Sequence, residues 1–344
     1  MQAFRSSLFL LIIALAFCCF VCSKAQDCQL FGSLPNKVAY TITVDKPGRG
    51  NFTTIQKAID SLPVKSNKWI RIQLAPGKYR EKINLPVNKP CVFLDGGDKS
   101  LTSIEWDDHV DTSSSSTFSS FADNVVLKGI TFKNTYNLEA STPRNTWKQA
   151  VAARIRGDKT LIYQCAFYGV QDTFWSDKGR HYIVDSYIEG SLDFIFGGGQ
   201  SVYKDCTVSI NVGELAPGTE AFITAQKREW ATDTGGFVFK NSNFTGKGKA
   251  WLGRAWGAFA TVIIVDSHMD DIIVPAGWHA WNSAANAKDT TYAESNNKGP
   301  GADTSKRVTW EKNLTAAQLS KFTDMSFINS DKWLASVPIS SISV

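Results

Sequence analysis

Two carboxylates and two amides recur at nearly one interval in the middle of this chain. Gln149 precedes Gln171 by 22 residues, and Asp172 precedes Asp193 by 21. Two carboxylates brought side by side resist joint ionisation, so one pKa should rise and the other fall. That divides them into a proton donor and a nucleophile. Amide N–H groups are neutral donors suited to a developing oxyanion. Asp193 opens the run Asp193-Phe-Ile-Phe-Gly-Gly-Gly199, whose apolar residues partly desolvate it. To stay charged it needs a cationic or hydrogen-bonding partner. Taken singly, each residue also has a structural reading. Asp193 could cap a turn before the glycines, Asp172 could be a turn residue, and Gln149 a ladder amide. The shared interval favours a site.

An interval brings residues together only if the chain returns to the same place after it. From residue 124 onward a short apolar unit recurs: VVLKGITF at 125–132, LIYQCAF at 161–167, YIVDSYI at 182–188, SVYKDCTV at 201–208, FVFKNSNF at 237–244 and VIIVDSHM at 262–269. Its small residues Gly129, Cys165, Ser186, Cys206, Ser242 and Ser267 are spaced by 36, 21, 20, 36 and 25 residues. Strands this short cannot bury themselves alone, and stacking them coil on coil gives a continuous core. The 36-residue steps are coils with a long loop. A sandwich of hairpins is disfavoured, because Asp95-Gly96 is the one clear hairpin turn signal. The expected fold is all-β, a right-handed parallel β-helix with coils about 4.8 Å apart. Ile55, Ala58, Ile59 and Leu62 have helical spacing and Pro63 stops them, which predicts a short N-terminal capping helix. A C-terminal helical segment around Leu314 to Phe322 is expected to pack back on the coil.

Composition narrows the partners. The 344 residues are 43% hydrophobic and 20% charged, which is a globular balance. A formal charge of +5 fits an anionic partner but is too weak to argue for nucleic acid. Arg5, the apolar run Leu8 to Cys22 and Ser23-Lys24-Ala25 read as a secretory signal cut after Ala25. The apolar run is short of the roughly 20 residues that span a bilayer. Residues 1–25 are then the signal, and 26–344 a single catalytic β-helix domain with no membrane association. Its removal takes two cations and no acid, so the charge falls to +3. Asn51, Asn243 and Asn313 begin sequons and are glycosylation candidates in a secreted protein. The chain has four histidines and no Gly-x-Ser-x-Gly, which disfavours a serine esterase. No sequence cluster suggests a metal, and no cofactor is expected.

The motifs together resemble the plant pectin methylesterase (pectinesterase) family, from about Lys37 to Trp333. They are Gly77-Lys-Tyr-Arg-Glu81, Gln149-Ala-Val-Ala152, Gly169-Val-Gln-Asp-Thr173, Asp193-Phe-Ile-Phe-Gly197, Ile223-Thr-Ala-Gln226, Leu252-Gly-Arg-Ala-Trp256 and Pro275-Ala-Gly-Trp278. The resemblance implies the same β-helix and hydrolysis of the C6 methyl esters of homogalacturonan in the plant cell wall. It implies Asp193 as nucleophile, Asp172 as proton donor and Gln171 as transition-state stabiliser. Gln149 assists and contacts substrate, Arg254 holds Asp193 charged and also meets substrate, and Trp256 stacks on a sugar ring. Thr117, in a more variable motif, matches a substrate-contacting threonine. The family usually has Pro at Ala255, Tyr at Trp175 and Asn at Gly198. Many members carry an inhibitor-like pro-region, for which the dozen residues before Lys37 leave no room. A monomer is expected, and a separate proteinaceous inhibitor is the further partner the resemblance allows. Two carboxylates about 5 Å apart also suit a retaining glycosidase, and a non-catalytic pectin-binding protein is a third alternative.

The register makes a cysteine prediction. Cys165 and Cys206 share a repeat position, but Ser186 lies between them, two coils or about 9.6 Å apart in all. A disulfide needs Cα atoms within roughly 7 Å. The pairing of the four remaining cysteines is otherwise open. Peptide mapping under non-reducing conditions should find no Cys165–Cys206 link, and finding one would refute the register.

Overall fold

Runs of Val, Ile and aromatic residues form short strands, because these side chains pack well on a pleated surface. The computed structural model describes residues 28–30, 37–138, 144–212, 216–281 and 287–339. The strands stack in three parallel sheets, one of ten strands and two of eight. Each coil gives one strand to each sheet in turn. Ala153–Ile155, Thr160–Tyr163 and Ala166–Tyr168 make one coil, and Phe174–Ser176 starts the next. Ala153 pairs with Phe174 and Phe174 with Ile195, so this part of the solenoid repeats every 21 residues. The fold is the right-handed parallel β-helix that the repeats predicted. The proposed signal segment lies outside the described residues.

The ten-stranded sheet reproduces the recurring unit with one correction. Lys128 pairs with Tyr163, which places Gly129 opposite Gln164 and Ile130 opposite Cys165. Gly129 is therefore one position ahead of the small residues with which it was grouped. The reason is the backbone of the corner. Gly129, Gln164, Asp185, Asp205, Asn241 and Asp266 all have φ between 48° and 63°. Glycine takes that left-handed turn without strain, and Asn and Asp tolerate it better than most. The next residue turns inward and closes a ladder. The Cys165 N–H donates to the Ser186 hydroxyl at 3.1 Å, and the Cys206 N–H to Ser242 at 3.2 Å. Cys165 and Cys206 are buried free thiols, and Cys28 is bridged to Cys91.

Inside, like residues stack on successive coils. Phe132 and Phe167 lie face to face at 5.3 Å, and Phe167 meets Phe174 at 4.7 Å. Helix α1, Ile55–Ser61, buries Ile55, Ala58 and Ile59 over the first coils. Its leading N–H groups at Ile55 and Gln56 donate to the Glu81 carboxylate at 3.0 and 3.1 Å. The last residue of the Gly77–Glu81 motif thus caps the helix from a distance.

The outer face of the ten-stranded sheet is apolar too, and the end of the chain covers it. Helices α2, Ala316–Thr323, and α3, Ser326–Asn329, lead to Trp333 and Leu334, which pack with Trp69, Leu161, Tyr182 and Val238. The Thr315 hydroxyl and Gln318 form a capping box at the start of α2. Polar ties fasten this strap. Arg180 and Lys159 pair with Asp331 at 2.7 and 3.1 Å, and the Trp69 indole N–H donates to the Ser336 carbonyl at 2.7 Å.

Phe167 is fully buried in the aromatic stack. Phe167→Ala should cost about 3–5 kcal/mol of stability in a denaturant titration. A loss under about 1 kcal/mol would mean that the stack contributes little.

Candidate active site

The stacked register carries the two aspartates to one place. Gln171 pairs with Leu192 across adjacent coils, and the Asp172 N–H donates to the Leu192 carbonyl at 2.9 Å. Asp172 and Asp193 therefore follow paired residues on neighbouring rungs, about 4.8 Å apart as backbones. Both have left-handed backbones, with φ of 62° and 49°. Residues in this strained region cluster where a side chain must be aimed. Beyond Asp193 the register against the next strand shifts between Leu192 and Ile195, a local irregularity that turns the carboxylate out of the regular pleat.

A cleft of about 520 Å³ opens over this part of the eight-stranded sheet that contains Ala153–Ile155 and Phe174–Ser176. Gln149, Gln171, Asp172, Asp193, Arg254 and Trp256 all line it. The amides of Gln149 and Gln171 have no side-chain hydrogen-bond partner among the described residues, so both can meet a ligand. Arg254 holds Asp193 with a two-pronged ion pair. Its Nε donates to Oδ1 at 2.7 Å and its Nη2 donates to Oδ2. The guanidinium is itself sandwiched, 3.6 Å from the Trp281 ring centre and 4.4 Å from that of Phe222. Gly253 allows this arrangement, because a Cβ there would sit 2.1 Å from the Thr224 hydroxyl one coil below. Trp175, Phe196 and Trp256 form an aromatic floor, with ring centres 5.2 and 6.2 Å apart in turn. Trp256 is 39% exposed, and the Lys227 ammonium lies over its ring, 4.6 Å from the centre.

One site residue from the sequence does not belong here. Thr117 is fully buried, and its hydroxyl donates to the Lys133 carbonyl at 3.1 Å. It cannot touch a ligand in the cleft. Thr112, five residues earlier, does line the cleft, and its hydroxyl donates to Asp172 Oδ2 at 3.2 Å. Both threonines lie in one Ser/Thr-rich stretch, and periodicity does not say which turns outward. Trp281, Phe222 and Lys227 also escaped the sequence reading. Trp281 lies three residues past the Trp278 of its motif, which is the only signal it gave.

The electrostatics also need a correction. The paired carboxylates were expected to split, one pKa up and the other down. Burial raises both. Asp172 is pushed up to about 8 by burial and then by the Asp193 charge, against the smaller effects of Thr112 and Arg254. Burial raises Asp193 as well, opposed by the Arg254 hydrogen bonds and charge. The asymmetry comes from Arg254, which grips one carboxylate and leaves the other facing a hydroxyl. At neutral pH the proton sits on Asp172.

That proton links to stability with a definite sign. Folded Asp172 keeps its proton up to about pH 8, whereas the unfolded chain releases it near pH 4. The folded state binds the extra proton between these values, so this group lowers stability as pH rises through that window. Asp172→Asn should therefore raise the melting temperature at pH 8, and the gain should fade toward pH 4. A pH-independent difference would contradict the raised pKa.

Comparison with known proteins gives the family. The family model described as Pectinesterase matches residues 41–331. The chain is similar to "Probable pectinesterase 29" of Arabidopsis thaliana, 43% identical over 327 residues, covering 94% of this chain and 96% of that one. "Probable pectinesterase 55" of the same plant is also 43% identical, over 326 residues, with the same coverage. Among solved structures, a pectin methylesterase from carrot superimposes with a TM-score of 0.81 at 27% identity, covering 91% of this chain and 99% of that one. The described cleft, the coil register and these likenesses agree: the chain belongs to the pectinesterase family.

Proposed function

We propose that this carboxylic ester hydrolase removes the C6 methyl esters of homogalacturonan, releasing methanol and leaving free uronate carboxylates. The observation that carries the proposal is the unequal pair, Asp193 gripped by Arg254 and Asp172 holding a proton. The Asp193 carboxylate attacks the ester carbonyl carbon, and negative charge grows on the carbonyl oxygen. The amides of Gln171 and Gln149 donate to it without neutralising the nucleophile. As the tetrahedral intermediate collapses, the C–O bond to the methoxy group breaks and Asp172 gives it the proton, freeing methanol. The acyl-enzyme is an anhydride on Asp193. Asp172, now ionised, takes a proton from water, whose oxygen attacks the acyl carbon. The product acid leaves, Asp193 is again a carboxylate and Asp172 again carries its proton. Thr112 orients Asp172, and Trp256 offers its face to a sugar ring.

The residues outside the cleft suit a secreted enzyme. A signal at 1–25, glycosylation at the exposed Asn51, Asn243 and Asn313, one catalytic domain and a monomer in the cell wall belong to the same proposal. So does inhibition by a separate proteinaceous inhibitor. Among the described residues no helix is long and apolar enough to cross a membrane.

Highly methylated pectin distinguishes the readings. The wild-type protein should release methanol and leave chain length unchanged. Shortened chains would indicate a glycosidase, and neither change would indicate a binding protein. Asp193→Ala should abolish methanol release while pectin binding persists, and near-wild-type activity in that variant would end the mechanism. Methanol release by the wild type should also decline as pH rises through about 8, where Asp172 loses its proton.

A further inference from the structure

The turn that carries Trp281 into the cleft is held by a ring that does not line it. His279 ends the strand Trp278–His279, the last rung of the catalytic sheet, where it pairs with Arg254. Two residues on, the Trp281 N–H donates to His279 Nδ1 at 2.9 Å. Trp281 has φ of 59°, a left-handed backbone that a bulky residue seldom adopts. Such a conformation persists only where its surroundings fix it. A side chain here does what a backbone carbonyl does in a regular turn. Beyond the turn, the indole lies 3.6 Å from the Arg254 guanidinium, and Arg254 grips Asp193.

An N–H can only donate, so Nδ1 must offer its lone pair. The neutral ring then carries its proton on Nε2, and the doubly protonated ring has no acceptor left. The surroundings oppose that second proton. Burial and the Arg254 charge hold His279 below the usual histidine range, against the weaker pull of Glu220. Glu220 accepts the Trp251 indole N–H at 2.7 Å. Lys249, opposite Glu220 in the register, reaches Asp271 at 2.7 Å. Arg307, which lies against Gly277, is paired with Glu294 at 2.6 Å. Phe222 and Trp251 set their rings nearly perpendicular to the imidazole, with centres 5.5 and 5.1 Å away. The charge next to His279 in the register is thus the one that holds the catalytic carboxylate.

We propose that His279 is a positioning residue for the ester hydrolysis: as a neutral ring it accepts the Trp281 N–H and so keeps the indole over the guanidinium that orients Asp193. Protonation of His279 replaces the acceptor with a second donor and puts a cation one rung from Arg254. The turn then opens, the indole leaves, and Arg254 holds Asp193 less firmly. The inference rests on the pectin methylesterase reading and adds an acid-side limit to the alkaline one set by Asp172.

Methanol release from highly methylated pectin by the full-length protein, followed against pH, tests this role. His279→Asn replaces Nδ1 with a carbonyl oxygen that accepts and does not titrate. It should keep kcat within about 2-fold of wild type at neutral pH and carry activity about half a pH unit further to the acid side. Asp193 then sets the limb that remains. His279→Phe keeps a flat ring without an acceptor, and should lower kcat about 5-fold at neutral pH while changing KM less. An acid limb unchanged in His279→Asn, no rescue by Asn over Phe, or full kcat in His279→Phe would overturn the role. Nitrogen-15 spectra of the four histidine rings give a readout apart from activity. The signals that vanish in His279→Asn should belong to a ring protonated on Nε2 at neutral pH. A ring protonated on Nδ1 would overturn the contact even if methanol is released. If the wild type released no methanol, the esterase reading would fail instead, and these spectra would still decide the contact.

Discussion

Every interior strand in the solenoid satisfies its backbone on the coil above and the coil below. That constraint decides the rest. Parallel pairing fixes the register of each rung, and a fixed register stacks residues that are far apart in sequence. Phe132 over Phe167 in the core and Asp172 beside Asp193 in the cleft are two results of one rule. The site therefore needs no loop to assemble its central pair. Loops are spent instead on the rims, where the 227–235 segment adds charge beside an otherwise regular sheet.

The part of the site that follows the coil length was legible in the sequence. Asp172 and Asp193 are separated by one unbroken coil, and the interval gave their proximity directly. Arg254 is different. From Ile195 the register runs to Thr224 and on to Gly253, two coils of 29 residues each, lengthened by loops. The irregularity after Leu192 then offsets Asp193 from that ladder. Its distance of 61 residues from Arg254 is thus two long coils and a shift, and only the family motif identified it. Thr117 failed for a related reason, since a serine- and threonine-rich turn has no periodicity to say which hydroxyl faces out. Gly129 was misplaced by one residue because a small side chain and a left-handed backbone look alike when the residue is glycine.

The two carboxylates also show what spacing cannot tell. Their closeness implied unequal titration, but not that burial would lift both. The difference is made by one guanidinium, set between Trp281 and Phe222, which hydrogen-bonds Asp193 and acts on Asp172 through its charge alone. The placement of that one cation therefore sets which aspartate carries the proton.

The strap along the ten-stranded sheet has a consequence for how the molecule comes apart. A stack of coils is a nearest-neighbour array, and such an array can fray from either end one unit at a time. Here the Trp69 indole of the first coils is tied to Ser336 near the end of the chain, while Asp331 grips Arg180 and Lys159 in the middle. The Cys28–Cys91 bridge clamps the opposite terminus to the same end. Peeling away the first coil must release the last segment as well, and so uncover the apolar face of every rung beneath it. The strap converts a chain of local equilibria into one cooperative transition, which keeps a cleft built from several coils either whole or absent.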